Sequence, residues 1–118
     1  MDHKLKLMVV DDSPLFRTWL IRSLSADDRF QIVGYAVNAL DAQEKIPLLQ
    51  PDMLTLDIEM PGMSGIDFLK QLLPVHPIPV ILVSSLNLRV FDALEAGAVD
   101  FVRKPDEANG LSKEIFLS

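Results

Sequence analysis

Five short runs, Leu5–Val10, Phe30–Ala36, Met53–Leu56, Val80–Val83 and Val99–Val102, are mostly apolar and are separated by longer amphipathic stretches. A strand with one wet face alternates polar and apolar residues, whereas a strand covered on both faces has no reason to do so. The runs therefore predict a parallel α/β sheet of five strands with helices packed on either side. With 118 residues, 49% of them hydrophobic, the chain can bury one sizeable core and is too short for two ordinary domains.

The remaining composition narrows the function classes. No apolar run approaches the roughly 18–20 consecutive residues of a membrane-spanning helix, and the N-terminus lacks a signal-peptide cleavage site. A cytoplasmic protein with no membrane partner is expected. Cysteine is absent and there are two isolated histidines, so any metal should be oxygen-ligated. A net charge of −6 with scattered Lys and Arg argues against nucleic-acid binding by this domain.

Between the strands the caps are readable. Ser13-Pro14 pairs an N-cap with a proline at the first helical position, predicting a helix from Pro14 to about Ser25. Leu15, Trp19, Leu20 and Leu24 supply its apolar side, leaving Arg17 and Arg22 for solvent. Asn38 caps a second helix through about Leu49, with Pro47 expected to loosen or end its last turn. A third helix spans Ile66–Leu73 and a fourth roughly Leu88–Ala96, with Gly97 at its left-handed C′ position. Ser112–Leu117 starts an amphipathic pattern of less than two turns, so the chain is expected to end inside its fifth helix.

In an open parallel sheet, ligands bind beyond the carboxyl ends of the strands. Strand one ends in Asp11-Asp12, strand three in Asp57, strand four in Ser84-Ser85 and strand five in Lys104. Three carboxylates at one edge resist ionisation unless a cation sits among them. Magnesium suits such a set, since it takes octahedral oxygen ligands and commonly combines one or two carboxylates with a phosphate oxygen. Asp57 can then act as a nucleophile toward phosphorus, with Lys104 and Ser84 spreading charge on the transferring oxygens. Taken singly, each element has a plain reading: adjacent aspartates as a solvated turn, a Ser pair as a cap, a lysine before proline as surface. Four strand tips carrying compatible groups are what make the set informative.

These residues resemble the receiver domain of two-component response regulators over essentially the whole chain. The motifs are Val-Val-Asp11-Asp12-Ser13, Leu-Asp57-Ile-Glu59-Met60-Pro61-Gly-Met-Ser-Gly65, Ser84, and Phe101-Val-Arg-Lys104-Pro105. The resemblance implies a flavodoxin-like, doubly wound three-layer sandwich. It makes Asp57 the phospho-acceptor, with Asp11, Asp12 and the Glu59 backbone carbonyl completing a magnesium site. Lys104, Ser84, Ser85 and Glu59 would border the phosphate, Ser84 and Phe101 would form the switch, and Lys104-Pro105 would be a cis peptide. A sensor histidine kinase is the implied phosphodonor.

Val-Ser84-Ser85-Leu and Gly97-Ala-Val-Asp-Phe-Val-Arg-Lys-Pro are similar in particular to receivers of the chemotaxis protein-glutamate methylesterase, CheB. That likeness implies a CheA-like kinase and a C-terminal methylesterase domain. No Gly-x-Ser-x-Gly-like nucleophile turn occurs here, so the esterase activity would belong to an output domain outside this sequence. This domain would catalyse only its own phosphorylation and dephosphorylation. Against those receivers the Ser85–Gly97 segment is shorter by roughly one helical turn, about four residues. A truncated fourth helix, or a stretch near Leu86–Arg89 missing from the sequence, would account for that. Other readings are a receiver with a DNA-binding output, a small-molecule aspartyl-phosphate hydrolase lacking any segment long enough for a cap, and a receiver-like fold used only for protein contacts. A nucleotide-binding module would need a glycine-rich loop where Asp-Asp-Ser-Pro stands.

Overall fold

A computed structural model describes residues 4–84 and 90–104. Its elements run β1 (Leu5–Val10), α1 (Pro14–Ser25), β2 (Phe30–Ala36), α2 (Ala39–Leu49), β3 (Met53–Asp57), α3 (Gly65–Leu72), β4 (Val80–Ser84), α4 (Val90–Glu95) and β5 (Asp100–Arg103). All five strands are parallel, in the order β2-β1-β3-β4-β5. Ser85, Leu86–Arg89, Pro105 with its peptide bond, and the tail with its expected fifth helix lie outside the described residues.

Strand periodicity divides the core in two. Leu7 and Val9 of β1 point to one face and join Phe16 and Leu20 of α1. Met8 and Val10 point to the other, joining Leu54, Leu56, Val80 and Leu82 beneath α2 and α3. Both faces of the sheet are thus dry, which is why these runs show no polar alternation.

Several boundaries differ from those read in the sequence, each for a local reason. In α1 the buried stripe is Phe16 and Leu20, whereas Leu15 is 67% exposed. The Ser13 hydroxyl accepts the Phe16 N–H at 3.3 Å and sets where the first turn begins, which turns Leu15 outward. Pro47 neither ends nor shortens α2. Its missing N–H removes one bond from a side where Gln43 and Pro47 are both exposed, so water can satisfy the freed carbonyl. The helix closes at Gln50, whose φ is 49° and whose N–H reaches the Ile46 carbonyl at 2.9 Å. At its other end, Asn38 accepts the Asp41 N–H while Asp41 accepts that of Val37, a reciprocal cap. β5 starts one residue later than predicted, at Asp100, and Gly97 takes φ 107° after α4 as expected.

The loop after β3 returns sharply, because the Gly65 N–H donates to the Ile58 carbonyl at 2.9 Å. This contact lets α3 start at Gly65, one residue ahead of the predicted Ile66, with Ser64 as its N-cap. A Cβ on Gly65 would lie 2.2 Å from the Asp57 carbonyl oxygen and 3.0 Å from the Ile58 Cα, both backbone atoms. Only glycine allows α3 to press against the tip of β3. Gly62 has φ 86° but nothing within 4 Å of an added Cβ. Gly65→Ala is therefore expected to cost about 2–3 kcal/mol of stability in urea denaturation, and Gly62→Ala about 1 kcal/mol. Equal losses would mean that close approach to β3 is not what Gly65 serves.

Candidate functional site

The strand order brings the tips of β1, β3, β4 and β5 side by side. Asp11 directly follows β1 and is 2% exposed. Its N–H extends the ladder to the Ala36 carbonyl at 3.0 Å, and its Oδ1 accepts the Ser13 N–H at 2.8 Å. Asp57, the last residue of β3, is 1% exposed. Asp12 is exposed. One carboxylate oxygen from each of these three lies within 4.8 Å of the others.

Lys104, immediately after β5, reaches into the acids. Its Nζ is 3.0 Å from Asp11 Oδ2 and 3.4 Å from Asp57 Oδ1. Its backbone N–H donates to the Ser84 carbonyl at 2.6 Å, anchoring the end of β5 to that of β4. Ser84 is buried at the end of β4, and its hydroxyl donates to Glu59 Oε2 at 2.5 Å. The Glu59 N–H in turn donates to Asp57 Oδ1 at 3.3 Å. Asp11, Asp12, Asp57 and Lys104 therefore gather directly, and Ser84 joins them through Glu59. Phe101 sits on β5 opposite Leu82 and packs, half-buried, against the core beneath α2 and α3.

Charge balance at this edge is poor. Burial, and then the charge of Asp11, push the Asp57 carboxyl up to about 8; Lys104 pulls it down, while Asp12 and Glu59 add to the rise. Burial also raises Asp11, against the lowering effects of the Ser13 N–H and Lys104. For Lys104, burial would lower the ammonium, but Asp11 and Asp57 hold it above the ordinary lysine value. Asp57 Oδ2 is buried with no hydrogen-bond partner among the described residues. An orphaned carboxylate oxygen, two neighbouring carboxylates and an all-oxygen donor set fit a hard divalent cation such as magnesium.

Two site neighbours escape the sequence reading. Arg17, assigned there to solvent, donates from Nη1 to the Asp11 carbonyl at 2.9 Å and lies over the Tyr35 ring at 4.5 Å. Its place one turn into a helix that starts just past the acid pair was the available signal. Phe16 carries Lys104 Nζ 4.6 Å from its ring centroid. Nothing in helical periodicity marks an aromatic residue as facing a distant lysine.

The response regulator receiver domain family matches residues 7–116. Among curated relatives, a protein-glutamate methylesterase/protein-glutamine glutaminase 2 of Syntrophomonas wolfei is 48% identical over 98% of this chain and 34% of its own length. A protein-glutamate methylesterase/protein-glutamine glutaminase of Syntrophotalea carbinolica is 49% identical over 94% of this chain and 33% of its own. This chain thus spans about a third of the length of the curated relatives it matches. Among solved structures, the response regulator domain of Thermotoga maritima CheB superposes with a TM-score of 0.87 at 37% identity, covering 98% of this chain and 90% of that one. The receiver domain of the putative response regulator NarL from Mycobacterium tuberculosis gives 0.80 at 33% identity, covering 96% and 94%. By family match, identity and fold together, the chain belongs to the response regulator receiver domains, and within them to the receivers of CheB-type methylesterases.

Proposed function

We propose that Asp57 accepts a phosphoryl group from a CheA-like sensor histidine kinase in the cytoplasm and so controls a C-terminal methylesterase output domain. The observation that supports this reading best is a buried Asp57 with one oxygen unpartnered among the described residues, beside Lys104 and two further carboxylates. An Asp57 oxygen would attack phosphorus; the aspartyl P–O bond forms as the donor's P–N bond breaks, and the donor histidine leaves with the bonding electrons. Asp11, Asp12, Asp57 and the Glu59 carbonyl would hold magnesium. Bound there, the ion would neutralise the carboxylates and charge on the phosphoryl oxygens.

The chain's own groups supply the rest. Lys104 is already within ion-pair distance of Asp57 and would pair with a phosphoryl oxygen. Ser84 would have to leave Glu59 to donate to that group, and Phe101 would repack with it. Ser85, which follows Ser84 in the sequence, would border the phosphate with Glu59. The methylesterase names of the relatives support the output assignment, as does the length those relatives have beyond the match.

With acetyl phosphate and magnesium, one site per chain should label, and Asp57→Asn should abolish the label by intact mass. Labelling that survives this substitution would falsify the acceptor assignment. For Lys104→Ala, labelling should persist while the conformational response to beryllofluoride, read from backbone amide shifts, weakens; a response equal to the parent's would count against its role.

A pH dependence follows from the raised Asp57 carboxyl. Between about 4, the ordinary Asp value, and about 8, folded Asp57 keeps a proton that the unfolded chain has released. Its contribution to stability is thus full at the acid end and is lost as pH rises through 8. In EDTA, urea denaturation should show that fall, and Asp57→Asn should flatten it. Magnesium, which binds the ionised site, should stabilise more at pH 8.5 than at pH 6. An unchanged slope in Asp57→Asn would remove Asp57 as its source.

A further inference from the structure

The geometry points to Phe16 as a positioning residue for Lys104: its ring face seats the ammonium beside Asp11 and Asp57 and so sets how tightly the site holds a phosphoryl-like anion. This inference rests on the proposed phosphoryl chemistry and adds a residue to it. Lys104 Nζ lies 4.6 Å from the Phe16 ring centroid, within cation–π range, while 3.0 Å from Asp11 Oδ2 and 3.4 Å from Asp57 Oδ1. Lysine ends in a point charge on a flexible stem, so two carboxylates alone leave its position loosely defined. An aromatic face attracts the ammonium without using any of its three N–H donors, which stay available for oxygens.

The ring itself is held firmly. Phe16 is 8% exposed and packs with Leu7, Val9, Leu20 and Val83; its ring also meets Trp19 at 5.3 Å between centroids. Ser13 ties it to the acids, since the Ser13 N–H donates to Asp11 Oδ1 and the Ser13 hydroxyl accepts the Phe16 N–H. One short loop therefore fixes both an acid that pairs with Lys104 and the ring that carries it. Such preorganisation strengthens binding by reducing what must be ordered when the anion arrives.

The test replaces Phe16 by 4-fluoro-, 3,5-difluoro- and 3,4,5-trifluorophenylalanine, which keep ring shape and apolar volume while draining the negative ring face. Beryllofluoride binding with magnesium is measured for each by titration. Affinity should fall stepwise, reaching roughly fivefold to thirtyfold weaker for the trifluoro ring, the loss of a desolvated cation–π contact. The Lys104 ε-methylene protons of the unliganded parent should also be shifted upfield by the ring current, and Phe16→Leu should abolish that shift. A flat fluorination series with a parent that binds normally would overturn the inference alone, as would rising affinity, which would mean that the ring holds Lys104 back. Unshifted ε-methylene protons in the parent would overturn the contact itself. A parent that binds no beryllofluoride would overturn the phosphoryl reading and, with it, this role for Phe16.

Discussion

Three carboxylates at one sheet edge, with the Lys104 ammonium among them, are the constraint around which this domain is organised. Each carboxylate taken from water is costly, and neighbouring like charges add to the cost. Lys104 lies against Asp11 and Asp57 and does not balance three charges. A fold optimised only for stability would put apolar residues at these tips, as it does one residue earlier at Val10, Leu56 and Val83. The tension is tolerable because it sits at strand ends held in place by ladder hydrogen bonds. Asp57 is the terminal residue of a strand paired on both sides, and Asp11 continues the β1 ladder through its own N–H.

Rigidity here comes from contacts that leave no freedom to relax. Gly65 lets α3 lie against the Asp57 carbonyl, the Ser84 carbonyl holds the Lys104 backbone, and Arg17 grips the Asp11 carbonyl while resting on Tyr35. The carboxylates cannot swing apart to lower their repulsion. What remains is to bind protons or to bind a cation, and burial, with the charge of Asp11 added to it, pushes the Asp57 carboxyl up to about 8. A group strained in this way is poised for a ligand that brings positive charge.

Much of this was legible in the sequence, and the limits are physical. Strands dry on both faces declare themselves as unbroken apolar runs, so the five were placed to within a residue. The tip residues follow from strand ends, so Asp11, Asp12, Asp57, Ser84 and Lys104 could be picked without knowing any distance. Side-chain direction was not legible. Leu15 and Phe16 are adjacent and both apolar, and only the Ser13 cap decides which one turns inward. Arg17 reads as a solvent residue until the helix is seen to start beside Asp11. Pro47 reads as a breaker because sequence alone does not show that Gln43 and Pro47 lie on an exposed side of the helix. The Ser84–Glu59 bond joins residues 25 apart, one at the end of β4 and one in the loop after β3, and neither residue type announces the other.

That bond bears on how a local charge could become a change of shape. In the structure the Ser84 hydroxyl has a strong acceptor in Glu59, so its orientation is set from outside the strand. Should Asp57 carry a phosphoryl group, three new acceptor oxygens would compete for the same donor within a site where one carboxylate has become an acyl phosphate. Ser84 can serve only one of these partners with its single proton. Two alternative arrangements would follow, each closing off the other; β4 ends at Ser84 while β5 beside it carries Phe101 in register with Leu82. A hydroxyl that had to choose between the Glu59 carboxylate and a phosphoryl oxygen would make the β4–β5 edge the place where chemistry at Asp57 is first felt as packing.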